Sequence, residues 1–184
     1  MRICLVTPAA KGSLNGNRIT AVRWGKILQQ LGHQVHIDTG DPGQRFDLMV
    51  AIHAWRSAQA VQAYRRRQPG APLVVLLAGT DIYKFSHSGP EVTLNTMAMA
   101  DRLVGLHDRV HLDIPSEFGS RLRIIRQASL PLSAPRSPLK RNFQVCVVGH
   151  LREEKDSLRS AYAARQMRAS SRLRVTGECS CSLP

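Results

Sequence analysis

The sequence predicts an α/β protein built on a doubly wound, mostly parallel sheet. Three observations point there. Short runs rich in Val, Ile and Leu recur along the chain, and continuous apolar runs suit strands covered on both faces. Helical patterns stand between most of them, giving the order β-α-β-β-α-β-α-β. The first run is followed at once by "KGSLNGNRIT", residues 11–20, where such sheets hold ligands.

The elements follow in order. Strands are read at 2–7 (RICLVT), 34–39 (QVHIDT), 47–53 (DLMVAIH), 72–78 (PLVVLLA), 102–107 (RLVGLH) and 122–126 (LRIIR). A helix is predicted over 17–31, where Trp24, Ile27, Leu28 and Leu31 recur at helical spacing and Gly32 stops it. A second helix covers 55–67, with Ala54, Ala58 and Val61 on one face and three arginines in its last turn. Pro69-Gly70 ends it, and residues 90–100 form a third. These elements make a first domain over 1–128. Residues 129–142, rich in proline and without periodicity, read as a linker. A new strand at 143–149, a helix at 157–168 and a strand at 172–177 begin a second domain, and residues 178–184 form a tail that continues no pattern.

The chain has 184 residues, 43% of them apolar. That suits one domain of about 100–150 residues plus a remainder. No run reaches the roughly 20 apolar residues of a membrane span, and the N-terminus lacks a signal peptide's pattern. A cytoplasmic protein with no membrane partner is expected. Cys4 and Cys146 lie in apolar runs and read as reduced core residues. Cys179 and Cys181 form a lone C-x-C without a second ligand pair, so no metal is expected. Net charge is +13, which favours anionic partners such as phosphorylated small molecules or nucleic acid. Aromatics are only 5% and do not interleave with the basic runs, so specific nucleic-acid binding is not expected.

Ligands of doubly wound sheets sit at the carboxyl ends of the strands. The polar residues there are Gly12, Asn15, Gly16, Asn17 and Arg18 after the first strand, and His53, Arg56 and Ser57 after the third. Gly79, Thr80, Asp81 and Tyr83 follow the fourth, and Gln127 follows the sixth. His150, Arg152 and Lys155 follow the strand at 143–149. The opening loop has neither the dinucleotide G-x-G-x-x-G nor a P-loop. It offers backbone N–H groups at a helix N-terminus for an anion, or a plain cap by Asn15 or Asn17. His53 is either ligand-facing or structural. Asp81 is either an acceptor for sugar hydroxyls or a base, or a cap. Arg152 and Lys155 suit a diphosphate, or pair with Glu153, Glu154 and Asp156.

Five segments in register, "TPAAKGSLNGNRITAVRW", "AIHAWRSAQA", "LAGTDIYK", "ADRLVGL" and "VVGHLREEKDSLRSA", resemble the selenosugar synthases of selenoneine biosynthesis. These belong to the GT-B type glycosyltransferases. The resemblance implies a GT-B like fold: a Rossmann-like N-terminal, acceptor-side domain, then a Rossmann-like donor-binding domain, here only its first β-α-β unit. It implies transfer of the sugar of a UDP-sugar to selenophosphate with release of UDP, and no cofactor beyond that donor. It places the acceptor or donor phosphates at Asn15, Gly16, Asn17 and Arg18. It gives His53, Thr80 and Asp81 catalytic positions, and gives the leaving diphosphate to His150, Arg152 and Lys155. The likeness ends after "RLRVTG", so a truncated second domain is expected, and turnover by these residues alone is not. A non-catalytic remnant binding a phosphorylated ligand, another GT-B glycosyltransferase and a basic nucleic-acid-binding protein are the alternatives.

Overall fold

The computed structural model describes residues 1–84, 89–129, 131, 133, 134, 156 and 158–166. The chain divides into two units, Met1–Ser129 and Leu130–Pro184. Strands β1 (Arg2–Val6), β2 (Gln34–Asp38), β3 (Leu48–Ile52), β4 (Leu73–Leu76), β5 (Arg102–Gly105) and β6 (Leu122–Ile124) build the first unit. Each lies inside the apolar run read for it. They form one sheet in the order β2-β1-β3-β4-β5-β6, and every neighbouring pair is parallel. Helices α1 (Gly16–Gln30), α2 (Ala58–Arg67), α3 (Thr80–Tyr83) and α4 (Pro90–Met99) connect or flank the strands. The sheet is therefore α/β, all-parallel and helix-flanked, as the periodicity predicts.

Alternating side chains send each strand into two cores. Cys4, Val6, Met49, Ala51, Leu73 and Val75 face one side, where Val61 and Tyr64 of α2 and Met97 of α4 cover them. Ile3, Leu5, Val50, Ile52, Leu76 and Val104 face the other, under Ala21, Trp24 and Leu28 of α1. Each fully buried Leu, Ile or Met contributes about 1.5–3 kcal/mol. β2 is one of the two edge strands, with Gln34 and His36 exposed while Val35 and Ile37 pack inward. Cys4 is a free thiol in the core. Burial pushes its pKa up to about 12, with Asp41 and Asp38 adding to the shift.

The inward face of α1 differs from the expected stripe. Ala21, Trp24, Gly25 and Leu28 face the sheet, while Ile27 and Leu31 are 42% and 67% exposed. Gly25 explains the rotation. A Cβ there would stand 3.0 Å from Cδ1 of Ile37, so the glycine lets α1 settle close to the sheet. The helix ends as predicted. Gly32 adopts φ 86°, and the Gly32 and His33 N–H groups donate to the Gln29 and Leu28 carbonyls, a Schellman closure.

The arginine excess has a structural share. Arg65 donates to the carbonyls of Met99, Pro69 and Ala71 and pairs with Asp101. Arg121 donates to Ala98 and Ala100. Both guanidinium groups thus gather carbonyls at the C-terminal end of α4, where the helix leaves them unpaired. Arg67 pairs with Asp41 and reaches the Gln44 carbonyl.

In the second unit the described residues include one helix, α5 (Arg159–Arg165). None of its residues is buried, and Leu158 and Tyr162 are more than half exposed. The predicted strands at 143–149 and 172–177, Cys146, the C-x-C and the tail lie outside the described residues.

Candidate functional site

The chain runs from β1 outward to β2, then returns to place β3 on the other side of β1. In parallel sheets such a reversal marks the carboxyl ends of the strands as the edge where ligands sit. Two groups of residues meet along that edge, and their chemistry differs.

The first group is a polar hub joining the ends of β3 and β4. Asp81 is fully buried. Its Oδ2 accepts the N–H groups of Ala54 (2.9 Å) and Ala78 (3.0 Å). Its Oδ1 accepts those of Gly79 (2.8 Å) and Ile82 (3.2 Å). The carboxylate caps the short α3 turn and ties it to the chain after β3, leaving little lone-pair capacity for a proton or a sugar hydroxyl. Gly79 permits the turn, at φ 110°.

His53 is part of the same hub and only 2% exposed. Its backbone has φ 77°, in the left-handed region, which is uncommon outside glycine although His, Asn and Asp enter it more readily than other residues. Nδ1 accepts the Arg56 N–H at 3.1 Å, so the neutral ring carries its proton on Nε2. That N–H faces Thr80 Oγ1 at 2.9 Å. Burial lowers the His53 pKa, Arg56 lowers it further and Asp81 opposes. The ring is therefore held neutral. Ser57 donates its hydroxyl to the Ile52 carbonyl at 2.7 Å and is equally buried. Arg56 is exposed beside the hub.

The second group lines a cavity of about 330 Å³. Gly16, Asn17, Ile19 and Thr20 of α1 form one wall. Leu76 and Ala78 at the end of β4, Leu106 after β5 and Gln127 after β6 form the others. The Gln127 Nε2 donates to Thr20 Oγ1 at 3.1 Å, closing the edge of the sheet against α1. None of the described lining residues is charged.

The loop before α1 sets up this wall. Gly12 has φ 84°, which suits glycine. Ser13 Oγ accepts the Asn15 N–H, and Asn15 Oδ1 accepts the Asn17 N–H at 3.0 Å. Asn15 is thus the N-cap, as one of the two expected readings had it. The Gly16 and Arg18 N–H groups have no acceptor among the described residues. The helix start keeps free donors for an anion while the cap is made.

A third cluster stands outside the cavity. Tyr83 Oη lies 2.6 Å from Nε2 of His107 and 3.3 Å from Oδ2 of Asp113. His107 Nδ1 accepts the Arg109 N–H, which leaves Nε2 to face the phenol. Burial and the Asp113 carboxylate raise the Tyr83 pKa, which keeps the phenol protonated.

The structure thus brings Gly16, Asn17 and Gln127 together in one cavity. It gathers His53, Ser57, Thr80 and Asp81 in the hub, and holds Tyr83 apart with new partners. His150, Arg152 and Lys155 lie outside the described residues. His107 stands at a strand end, where the same rule that found His53 reaches it. Thr20 and Leu106 carry no polar-site signal in sequence, because a wall of Thr and Leu looks like core. Among the described residues no group of three or more His, Cys, Asp or Glu side chains gathers to hold a metal, and no helix is long and apolar enough to cross a membrane. No protein-family profile and no curated protein sequence matches the chain.

Proposed function

We propose that Met1–Ser129 is the acceptor-side, ligand-binding domain of a GT-B type glycosyltransferase of the selenosugar synthase kind, and that the following residues begin its donor-side domain. The supporting observation is the first turn of α1. Its free Gly16 and Arg18 N–H groups stand beside a cavity at the carboxyl edge of a parallel sheet. That combination suits a ligand with a phosphate at the helix N-terminus.

The reaction is attack of the selenium of selenophosphate on the anomeric carbon of a UDP-sugar. The carbon–selenium bond forms as the carbon–oxygen bond to UDP breaks, and the electron pair leaves on the diphosphate. An ionised selenium nucleophile needs no general base. This agrees with a buried Asp81 filled by backbone donors and a neutral, internally bonded His53. In this scheme both residues shape the edge of the cleft. Asn15, Gly16, Asn17 and Arg18 hold the anion. Arg152 and Lys155 stabilise the leaving diphosphate.

The test incubates the full chain with selenophosphate and a panel of UDP-sugars, reading UDP release and the new carbon–selenium bond by selenium NMR. Matched appearance of both signals supports the synthase. Saturable binding without turnover reduces the reading to a binding remnant. Binding that ignores UDP-sugars and falls steeply with salt assigns the basic charge to nucleic acid instead.

A further inference from the structure

We propose that the rings of Tyr83 and His107 form a platform for a sugar ring at the carboxyl edge of the sheet, with Asp113 accepting the sugar's hydroxyl groups; this deepens the ligand-binding reading above and rests on it.

The ring geometry carries the argument. The two planes lie 9° apart and their centroids 6.4 Å apart, while Tyr83 Oη and His107 Nε2 stand 2.6 Å apart. The hydrogen bond joins the rims. Centroids this far apart then place the rings end to end in nearly one plane, rather than one above the other. Tyr83 rests on Gly79, where a Cβ would come within 3.9 Å of its ring, and is still 47% exposed. His107 is exposed too, and its other nitrogen is fixed by the Arg109 N–H. Both rings are thus held by their rims, which leaves a flat aromatic face for a ligand.

An aromatic face carries partial negative charge. The C–H groups on one face of a pyranose are apolar and slightly positive, so they pack on it without desolvating a charge. The hydroxyl groups at the sugar's rim need acceptors. Asp113 presents Oδ2 to the phenol at 3.3 Å, and its Oδ1 is open among the described residues. An ionised carboxylate accepts from several donors at once. Asp108, earlier on the same turn, is engaged by Arg126. Position agrees with a role at the ligand edge. Ala78 and Leu106 line the cavity; Gly79, under the Tyr83 ring, follows the first, and His107 follows the second. The platform takes a neutral pyranose, and any nucleotide attached to that sugar lies elsewhere.

The experiment is saturation-transfer NMR on the full chain with the methyl glycosides of glucose, galactose and N-acetylglucosamine, and with uridine. Inorganic phosphate is titrated separately by calorimetry. At least one glycoside is expected to bind saturably, with a dissociation constant of roughly millimolar order, and with the strongest saturation on the C–H protons of one ring face. Tyr83→Leu removes the flat ring, His107→Asn keeps an acceptor for the Arg109 N–H, and Asp113→Asn removes the carboxylate. Each is expected to weaken the glycoside by about tenfold, with the thermal midpoint near that of the parent. Phosphate binding without any glycoside, or saturation of uridine alone, overturns the sugar platform and leaves the ligand-binding reading intact. Glycoside binding that Tyr83→Leu and His107→Asn leave unchanged overturns the platform as its place. Should a ring variant unfold, the pattern on the parent decides: saturation spread evenly over the sugar's protons overturns stacking. Failure of glycosides, uridine and phosphate together overturns both.

Discussion

The hub at the ends of β3 and β4 and the cavity beside α1 share one edge of one sheet, yet they use polarity in opposite ways. The hub holds the residues that look most like chemistry: a histidine, a threonine, a serine and a carboxylate. Their polar atoms bond largely to one another and to nearby backbone. The cavity is lined by small, apolar and amide side chains, and it is open. A buried polar group must be satisfied. Where protein satisfies it, the group builds structure; where the fold leaves room, even plain residues define a site.

The sharpest way to break this comparison is to remove the hub's carboxylate. Asp81→Ala strands the N–H groups of Ala54, Ala78, Gly79 and Ile82. Urea unfolding is expected to show a loss of about 3 kcal/mol or more, with Asp81→Asn losing less because its carbonyl still accepts. A catalytic Asp81 with no structural task would instead leave both unfolding curves unchanged.

A smaller effect comes from His53 through pH. Its folded-state pKa is lowered, chiefly by burial, so the unfolded chain binds the proton more readily. The stability it contributes is complete above the unfolded value of about 6.5 and is lost as pH falls toward the folded value. One such proton gives a slope of at most about 1.4 kcal/mol per pH unit. Unfolding curves between pH 7.5 and 5 should show the decline, and His53→Gln should flatten it. An equal slope in that variant removes His53 as the source.

Smaller again are the helix ends. Asn15→Ala should cost about 1 kcal/mol through the lost cap on Asn17. Gly32→Ala should cost roughly 1 kcal/mol at its φ of 86°. Thermal midpoints resolve both. The two separate in binding, since Asn15 orients the wall of the cavity and Gly32 closes the far end of α1. Equal effects on ligand affinity would erase that distinction.

The sheet was legible because parallel strands buried on both faces leave continuous apolar runs, as in "LMVAI" of β3 and "LVVL" of β4. The cap at Asn15 and the stop at Gly32 were legible because each is a local contact. The face of α1 was not, because the close approach of Gly25 to Ile37 is a tertiary fact that outweighs a stripe of large side chains. The candidate site was half legible. Strand-end reasoning found Gly16, Asn17 and Gln127, which lie in different parts of the chain and meet in space. It could not separate Asp81 the cap from Asp81 the base, since that depends on the backbone donors around the carboxylate. Nor could it find Leu106 or Thr20, whose residue types signal packing.

The most direct test is amide chemical-shift mapping of the full chain during titration with a UDP-sugar. Perturbations concentrated at Gly16, Asn17, Thr20, Leu106 and Gln127, with Ala54, Ser57 and Asp81 unmoved, are the predicted result. Perturbations centred on residues 53–57 and 80–82, with the cavity residues unmoved, would contradict the division between a structural hub and an open site.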